Sequence, residues 1–332
     1  MSAIDTGPID IGPIAVDAMG GDKAPAEIVA GALQAAAEGI DVVLVGRAAE
    51  LGDVGGLPVI DASEVIGMDD DPAGGVRRKK DSSLVRCAEA VRDGRASAMV
   101  SAGNTGATMA SALLRMGRIK GVARPAIATP IPVPGSTPTV LLDAGANAEV
   151  SAEWLVQFAQ MGSVFARHRF GMANPRVGLL SIGEEPGKGD QLRKDAFELL
   201  KVASGINFVG NVEGRDIMST DLDVVVTDGF TGNVALKSLE GALRTIVRAM
   251  LAAFNSKPEY ADATQTLMPA LLELYTMLDP ETYGGAMLLG VDGVCIISHG
   301  SSSARAVHNA IRVGADMARA GLVDHLRSAV GS

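Results

Sequence analysis

Residues 98–109 read AMVSAGNTGATM: an apolar run, a loop of small and polar residues, and the first turn of a helical pattern. Five more runs end in the same way. They are 14–19 before GGDKAP, 140–142 before DAGANAE, 177–182 before GEEPGKGD, 222–226 before TDGFTGN, and 294–297 before SHGSSS. Apolar runs that alternate with helical patterns indicate a doubly wound, mostly parallel α/β sheet. Loops at the carboxyl edge of such a sheet bind ligands. Glycines let the backbone approach a ligand, and helix N-termini offer free N–H groups to an anion. The six loops are therefore expected to meet at one edge and form a composite phosphate-handling site.

At 332 residues and 47% hydrophobic, the chain can bury a large core as one α/β unit or as two lobes. With 29 basic and 39 acidic residues the net charge is −10, which opposes binding to a nucleic-acid backbone. Only 3% of residues are aromatic, which also argues against base stacking. No segment supplies the roughly 18 consecutive apolar residues of a membrane span. The first residues, MSAIDTGPIDIG, lack the basic and apolar regions of a signal peptide. Cys87 and Cys295 stand alone and read as buried small hydrophobes in a reducing cytoplasm.

Residues 1–12 read as a flexible extension, and 13–330 as one α/β domain. Strands are expected at 13–19, 41–46, 57–61, 97–101, 176–182, 206–211 and 222–227, and a hairpin is expected from 126–133 and 139–143. Helices are expected at about 25–38, 82–93, 105–116, 152–168 and 190–202. No internal repeat is found. Residues 233–278 hold two long helical patterns that break at Pro258. In the first, Lys237, Arg244 and Arg248 form a basic stripe opposite a broad apolar face. This helical hairpin reads either as a core or dimer-forming element, or as a surface for lipid or an acidic partner.

The loops lack both GxGxxG and GxxxxGK[ST], so no nucleotide cofactor is indicated, and no cluster has metal-ligand spacing. VDAMGGD supplies Asp17, Gly20, Gly21 and Asp22. VSAGNTGATM supplies Ser101, Gly103, Asn104, Thr105 and Gly106, with Thr105 read either as a helix cap or as part of an anion nest. DAGANAE supplies Asp143 and Asn147. GEEPGKGD carries Glu184 and Lys188, and TDGFTGN carries Asp228, Thr231 and Asn233, the last at a helix start. SHGSSS supplies His299, Ser301 and Ser302, whose hydroxyls and amides are expected to cap a helix and hold an oxyanion rather than form a hydrolase relay.

Taken in order, IAVDAMGGD, RRKKDSSL, VSAGNTGATM, LLDAGANAE, GLLSIGEEPGKGD, FVGNVEGRDI, DVVVTDGFTGNVALKSLEG and GVDGVCIISHGSSSARA resemble the phosphate:acyl-(acyl carrier protein) acyltransferases of bacterial phospholipid synthesis. The resemblance runs from about residue 13 to 315. It is slight over 47–75 and over the 255–265 connector, and Ala144 stands where that family usually has valine. It implies an isocitrate/isopropylmalate dehydrogenase-like fold, a homodimer, no cofactor, and transfer of a long acyl chain from acyl carrier protein to inorganic phosphate. The family's catalytic lysine and asparagine fall on Lys188 and Asn233. Peripheral association with the inner face of the cell membrane through the hairpin is implied, as is a downstream glycerol-3-phosphate acyltransferase. Lys237, Arg244 and Arg248 become candidate contacts for carrier protein or membrane, as do Arg77–Lys80 and Arg115, Arg118 and Lys120. The alternatives are a phosphotransacetylase acting on acyl-CoA and a catalytically idle membrane scaffold.

Overall fold

The structure is a computed structural model that describes residues 11–330, so most of the extension expected at 1–12 lies outside the described residues. The chain runs β1 (Ile14–Asp17), α1 (Ala26–Ala37), β2 (Val42–Gly46), β3 (Val59–Asp61), α2 (Pro72–Arg78), α3 (Ser83–Arg92), β4 (Ala98–Ser101) and α4 (Thr105–Arg115). A hairpin of β5 (Ala126–Ile131) and β6 (Thr139–Leu142) leads to α5 (Ala152–Phe170), β7 (Arg176–Leu180), α6 (Gln191–Val202), β8 (Asn207–Val212) and β9 (Val224–Val226). After these come α7 (Gly229–Phe254), α8 (Ala261–Leu278), β10 (Ala286–Leu289), β11 (Val294–Ile297), α9 (Ala304–Arg319) and α10 (Leu322–Val330). Short polar side chains start the helices. Ser82, Asn104, Asp190, Asp228 and Ser303 each accept a backbone N–H of the first turn. Of these elements, α2, β10 and α10 are not anticipated from the sequence.

Among the described residues the strands form one sheet in the order β3-β2-β1-β4-β11-β10-β5-β6-β9-β7-β8. The mostly parallel α/β architecture holds, but the single carboxyl edge does not. β3, β2, β1, β4 and β11 are mutually parallel, and so are β6, β9, β7 and β8. Three antiparallel pairings, β11/β10, β10/β5 and β5/β6, separate these blocks and set them in opposite directions. The six loops thus leave as two trios at opposite edges. Register limits the damage to the composite site. Val16, Val100, Ile296, Met287, Ala128, Leu142, Val226 and Leu179 lie on one rung across the sheet. Both blocks end within a residue or two of that rung. Segments just past it can converge at the centre, and those farther along diverge.

Side chains alternate across the pleat. Ile14 and Val16 join the continuous core under α1, α5, α6, α9 and α10, while Ala15 faces α3 and α4. On that second face the core is split in two, one cluster under α3 and α4 and another around Leu141, Val225 and Ile217. Leu236 of α7 packs against both. The gap between them is the cleft.

The helical hairpin stands clear of the body. Helix α7 has 26 residues, about 39 Å at 1.5 Å per residue, and its buried residues are Gly229 and Gly232. Helix α8 buries none, and Ile246 and Leu272 are more than half exposed. Among the described residues no helix is long and apolar enough to cross a membrane. Both cysteines are buried, as expected, and burial pushes the Cys295 thiol up to about 12, so it stays neutral.

Candidate active site

Three loops of the first block are interlocked. Asp17 is buried at the end of β1 and accepts the Ser101 hydroxyl at 2.7 Å, and Ser101 Oγ accepts the Gly103 N–H at 3.0 Å. Burial raises the Asp17 pKa, while hydrogen bonds from Ser83, Ser101 and two backbone N–H groups oppose the rise. Gly20 fits only as glycine, since a Cβ there would lie 2.5 Å from Asp17 Oδ2 and 2.8 Å from Gly103 N. Gly21 has φ +108°, a Cβ there would lie 3.1 Å from Ala102 O and Gly300 O, and the Asp22 N–H donates to Gly300 O at 2.8 Å. Asp17, Gly20, Gly21, Asp22, Ser101 and Gly103 thus tie the β1, β4 and β11 loops together.

Asn104, rather than Thr105, caps α4. Its Oδ1 accepts the Ala107 N–H at 3.0 Å, and its Nδ2 donates to Met68 O at 2.7 Å. Thr105 lines the cleft, and Gly106 lies against the ring of Pro72.

The second block is built around Asp143. Its carboxylate accepts the N–H groups of Ile127, Gly145, Ala146 and Asn147 and the Asn147 side-chain amide, at 2.8 to 3.2 Å. Burial pushes the Asp143 pKa up and these donors push back. Asn147 also donates to Pro125 O at 2.8 Å. The Asp143 carboxylate is therefore saturated by the protein itself, and the Asn147 amide donates to Asp143 and Pro125. The first turn of α7 presses on this loop, where a Cβ on Gly232 would sit 1.9 Å from Asp143 O. Gly232→Ala is expected to cost about 3 kcal/mol, the upper end of overpacking, as a lowered urea midpoint. An unchanged midpoint would mean that α7 shifts freely off Asp143.

Asp228 caps α7 by accepting the Thr231 N–H at 2.8 Å. Burial raises its pKa, but Thr231 and the guanidinium of Arg193 outweigh this and leave it below the usual carboxylate value. Arg193 was not singled out from the sequence. It joins Asp228 to Thr227 and Thr231, and it also pairs with Asp190 at 3.1 Å, so it ties the 183–190 loop to α7. An arginine inside a helical pattern looks like surface charge until its partners are seen.

Lys188 lies in that exposed loop, its N–H donating to Glu185 O at 3.0 Å. Its ammonium makes no ion pair among the described residues, and Glu184 pairs with Arg215 at 3.5 Å. Lys188 does not line the cleft cavity. Its loop leaves β7, away from the reversal.

The cavity of about 200 Å³ lies over β5 and β10, where the sheet changes direction. The first block contributes Thr105, Ser298 and His299; the second contributes Ala144, Asn233, Leu236, Lys237 and Glu240. Asn233 is not at the helix start but on the second turn of α7, beside Gly145. Lys237, Arg244 and Arg248 share one face of α7, and Lys237 stands at its cavity end. It faces the cavity and pairs with Glu240 at 2.9 Å, while Arg244 and Arg248 are exposed farther out.

His299 and Ser301 do touch, Nδ1 to Oγ at 2.8 Å. The Ser301 N–H also donates to Nδ1 at 3.2 Å, which leaves Nε2 to carry the proton of the neutral ring. The Ser302 N–H donates to His299 O. The N-terminus of α9 already holds a carboxylate, because the Ala304 N–H donates to Glu27 at 2.6 Å and Ser303 binds Glu281. The chain's own acids thus occupy Ser303 and the Ala304 N–H at this helix start, and the Ser301 hydroxyl is taken by His299.

A sequence model of the family described as "Fatty acid synthesis protein" matches residues 13–325. A protein of Pelotomaculum thermopropionicum named phosphate acyltransferase is 50% identical over 327 residues, covering 96% of this chain and 95% of that one. The fold is shared with a phosphotransacetylase from Streptococcus pyogenes (TM-score 0.62, 19% identity, 92% of this chain and 94% of that one). It is also shared with a 4-hydroxythreonine-4-phosphate dehydrogenase from Klebsiella pneumoniae (TM-score 0.55, 14% identity, 92% and 99%).

Proposed function

The chain belongs to the phosphate acyltransferase family, and from that membership we propose that it moves a long-chain fatty acyl group from the thioester of acyl carrier protein to inorganic phosphate. A phosphate oxygen attacks the thioester carbon, the C–S bond breaks, and the carrier thiol leaves with the proton that phosphate gives up. The products are acyl phosphate, for phospholipid synthesis, and free carrier protein. Phosphate needs no strong base to attack. The enzyme's task is to position the reactants and stabilise the charge that develops on the carbonyl oxygen.

The observation that supports this reading is the cavity where the two blocks meet, with apolar walls and the Asn233 amide at its edge. In this scheme Asn233 orients the thioester carbonyl. Lys188 acts from the exposed 183–190 loop, whose glycines at 183, 187 and 189 let it fold over the cleft and hold the phosphate. A fatty acyl group is favoured because α7 leads from Leu236 in the cavity wall to exposed Ile246, Met250 and Leu251. Those residues, with Arg244 and Arg248, suit peripheral contact with an anionic membrane face, and pairing of hairpins in a homodimer would cover the rest.

The fold shared with phosphotransacetylases favours one rival, a short acyl-CoA as donor. Acyl phosphate trapped with hydroxylamine distinguishes the two when palmitoyl carrier protein, palmitoyl-CoA and acetyl-CoA are compared in the presence of phosphate. Highest turnover with the carrier protein is expected. Preference for CoA would replace the proposed donor, and no product from any donor would leave only a scaffold.

A further inference from the structure

Ser298 follows β11, and its N–H donates to Ser101 O at 2.8 Å. The residue is 5% exposed and stands in the cavity wall, yet its Oγ is buried without a hydrogen-bond partner among the described residues. Neighbouring hydroxyls are occupied: Ser101 by Asp17 and Gly103, Ser301 by His299, and Ser303 by Glu281. An idle buried hydroxyl is unfavourable for folding. Gly285, with φ +84°, stands beside it, and a Cβ there would lie 3.2 Å from the hydroxyl oxygen and 2.7 Å from Ile297 O. Glycine therefore keeps space open next to the hydroxyl, whose χ1 has three staggered wells and can reorient without moving the strand.

The charge of the cavity narrows what it can receive. Lys237 and Glu240, 2.9 Å apart, are its charged side chains among the described residues, and they cancel. Ile127, Ala144, Leu236, Ala286 and Ile297 make most of the remaining wall apolar. A phosphate dianion finds no net positive charge there. A thioester needs only neutral donors for its carbonyl and an apolar wall for the first carbons of its chain.

We infer that this cavity is the acyl-thioester subsite and that Ser298 donates a hydrogen bond from its hydroxyl to the thioester carbonyl oxygen. As the phosphate oxygen adds, the carbonyl electron pair moves onto that oxygen. It returns as the C–S bond breaks, and Ser298 keeps its proton throughout. The inference rests on the acyl-transfer reading and adds a residue to it.

The test compares Ser298→Ala with the unaltered chain on whichever acyl donor the latter uses best. The variant should lose roughly 100-fold in kcat, as for removal of one oxyanion donor, with KM for phosphate within about twofold. Its melting temperature should be unchanged or raised, because the deleted hydroxyl has no partner to lose. Equal kcat would overturn the inference. So would a raised KM for phosphate at unchanged kcat, which would assign the hydroxyl to phosphate, or a melting temperature several degrees lower, which would make Ser298 structural. Donor preference of the unaltered chain decides the carrier-protein reading separately, since the variant-to-parent ratio is taken on one donor.

Discussion

Asp143→Ala should lower the folding free energy by about 3–5 kcal/mol, the largest stability change expected at any site residue. Four backbone N–H groups and one side-chain amide converge on this carboxylate, and none has a second acceptor among the described residues except the Asn147 amide, which also reaches Pro125 O. Each buried donor left without a partner costs about 1–3 kcal/mol, and water entering the vacated space recovers part of the sum. The loss is a large share of a typical 5–15 kcal/mol stability. It should also spread, because Gly229 and Gly232 hold the start of α7 against this loop. Asp143→Asn should recover only part of the loss, since one oxygen becomes a donor facing other donors. The measurement is a urea transition followed by circular dichroism. A loss below about 1 kcal/mol would show that the five contacts are not maintained in solution.

Asn233→Ala should change activity and stability in opposite directions. The Asn233 side chain is exposed at the cavity and makes no hydrogen bond among the described residues. Alanine is also a better helix former by up to about 0.7 kcal/mol, so the fold should hold or gain slightly. Turnover should fall by about 10²–10³, or roughly 3–4 kcal/mol of transition-state stabilisation, if the amide meets the developing oxyanion. Single-turnover acyl-phosphate formation alongside a thermal melt separates the two effects. Retained turnover would remove Asn233 from the chemistry, and a falling melting temperature would assign it a structural role instead.

Much of the secondary structure was legible because it is written in local periodicity and in caps. The helix expected at 190–202 is α6, opened by its cap Asp190, whereas α7 begins one turn before the start expected at Asn233, because Asp228 caps it. Cys87 and Cys295 read correctly as buried for the same reason, each lying within an apolar pattern. β10 was missed, since its four residues, AMLL, are too short to be told from the helical and loop residues around them. That omission concealed the topology, because β10 and β5 are the strands through which the sheet reverses. A short repeat emerges only once two of the loops share a cavity. SAGNTG at 101–106 and TDGFTG at 227–232 share a hydroxyl, glycine, threonine and glycine at matching spacing, and each runs into a helix that contributes to the same cavity.

By itself the sequence determined the α/β class, the helical hairpin and the supply of glycines and hydroxyls at strand ends, since each depends on residues near one another in the chain. Only the tertiary structure decided which loops share a cavity. Strand direction and register come from pairings such as Met287 with Ala128 and Ala128 with Leu142, made between distant segments. For the same reason it placed Glu27 at the start of α9, tied Arg193 to Asp228, and left Ser298 buried beside a cavity with its hydroxyl unpaired. A hydrogen-bond partner hundreds of residues away leaves no local pattern to read, and the cost of burying a polar group cannot be judged until the groups around it are known.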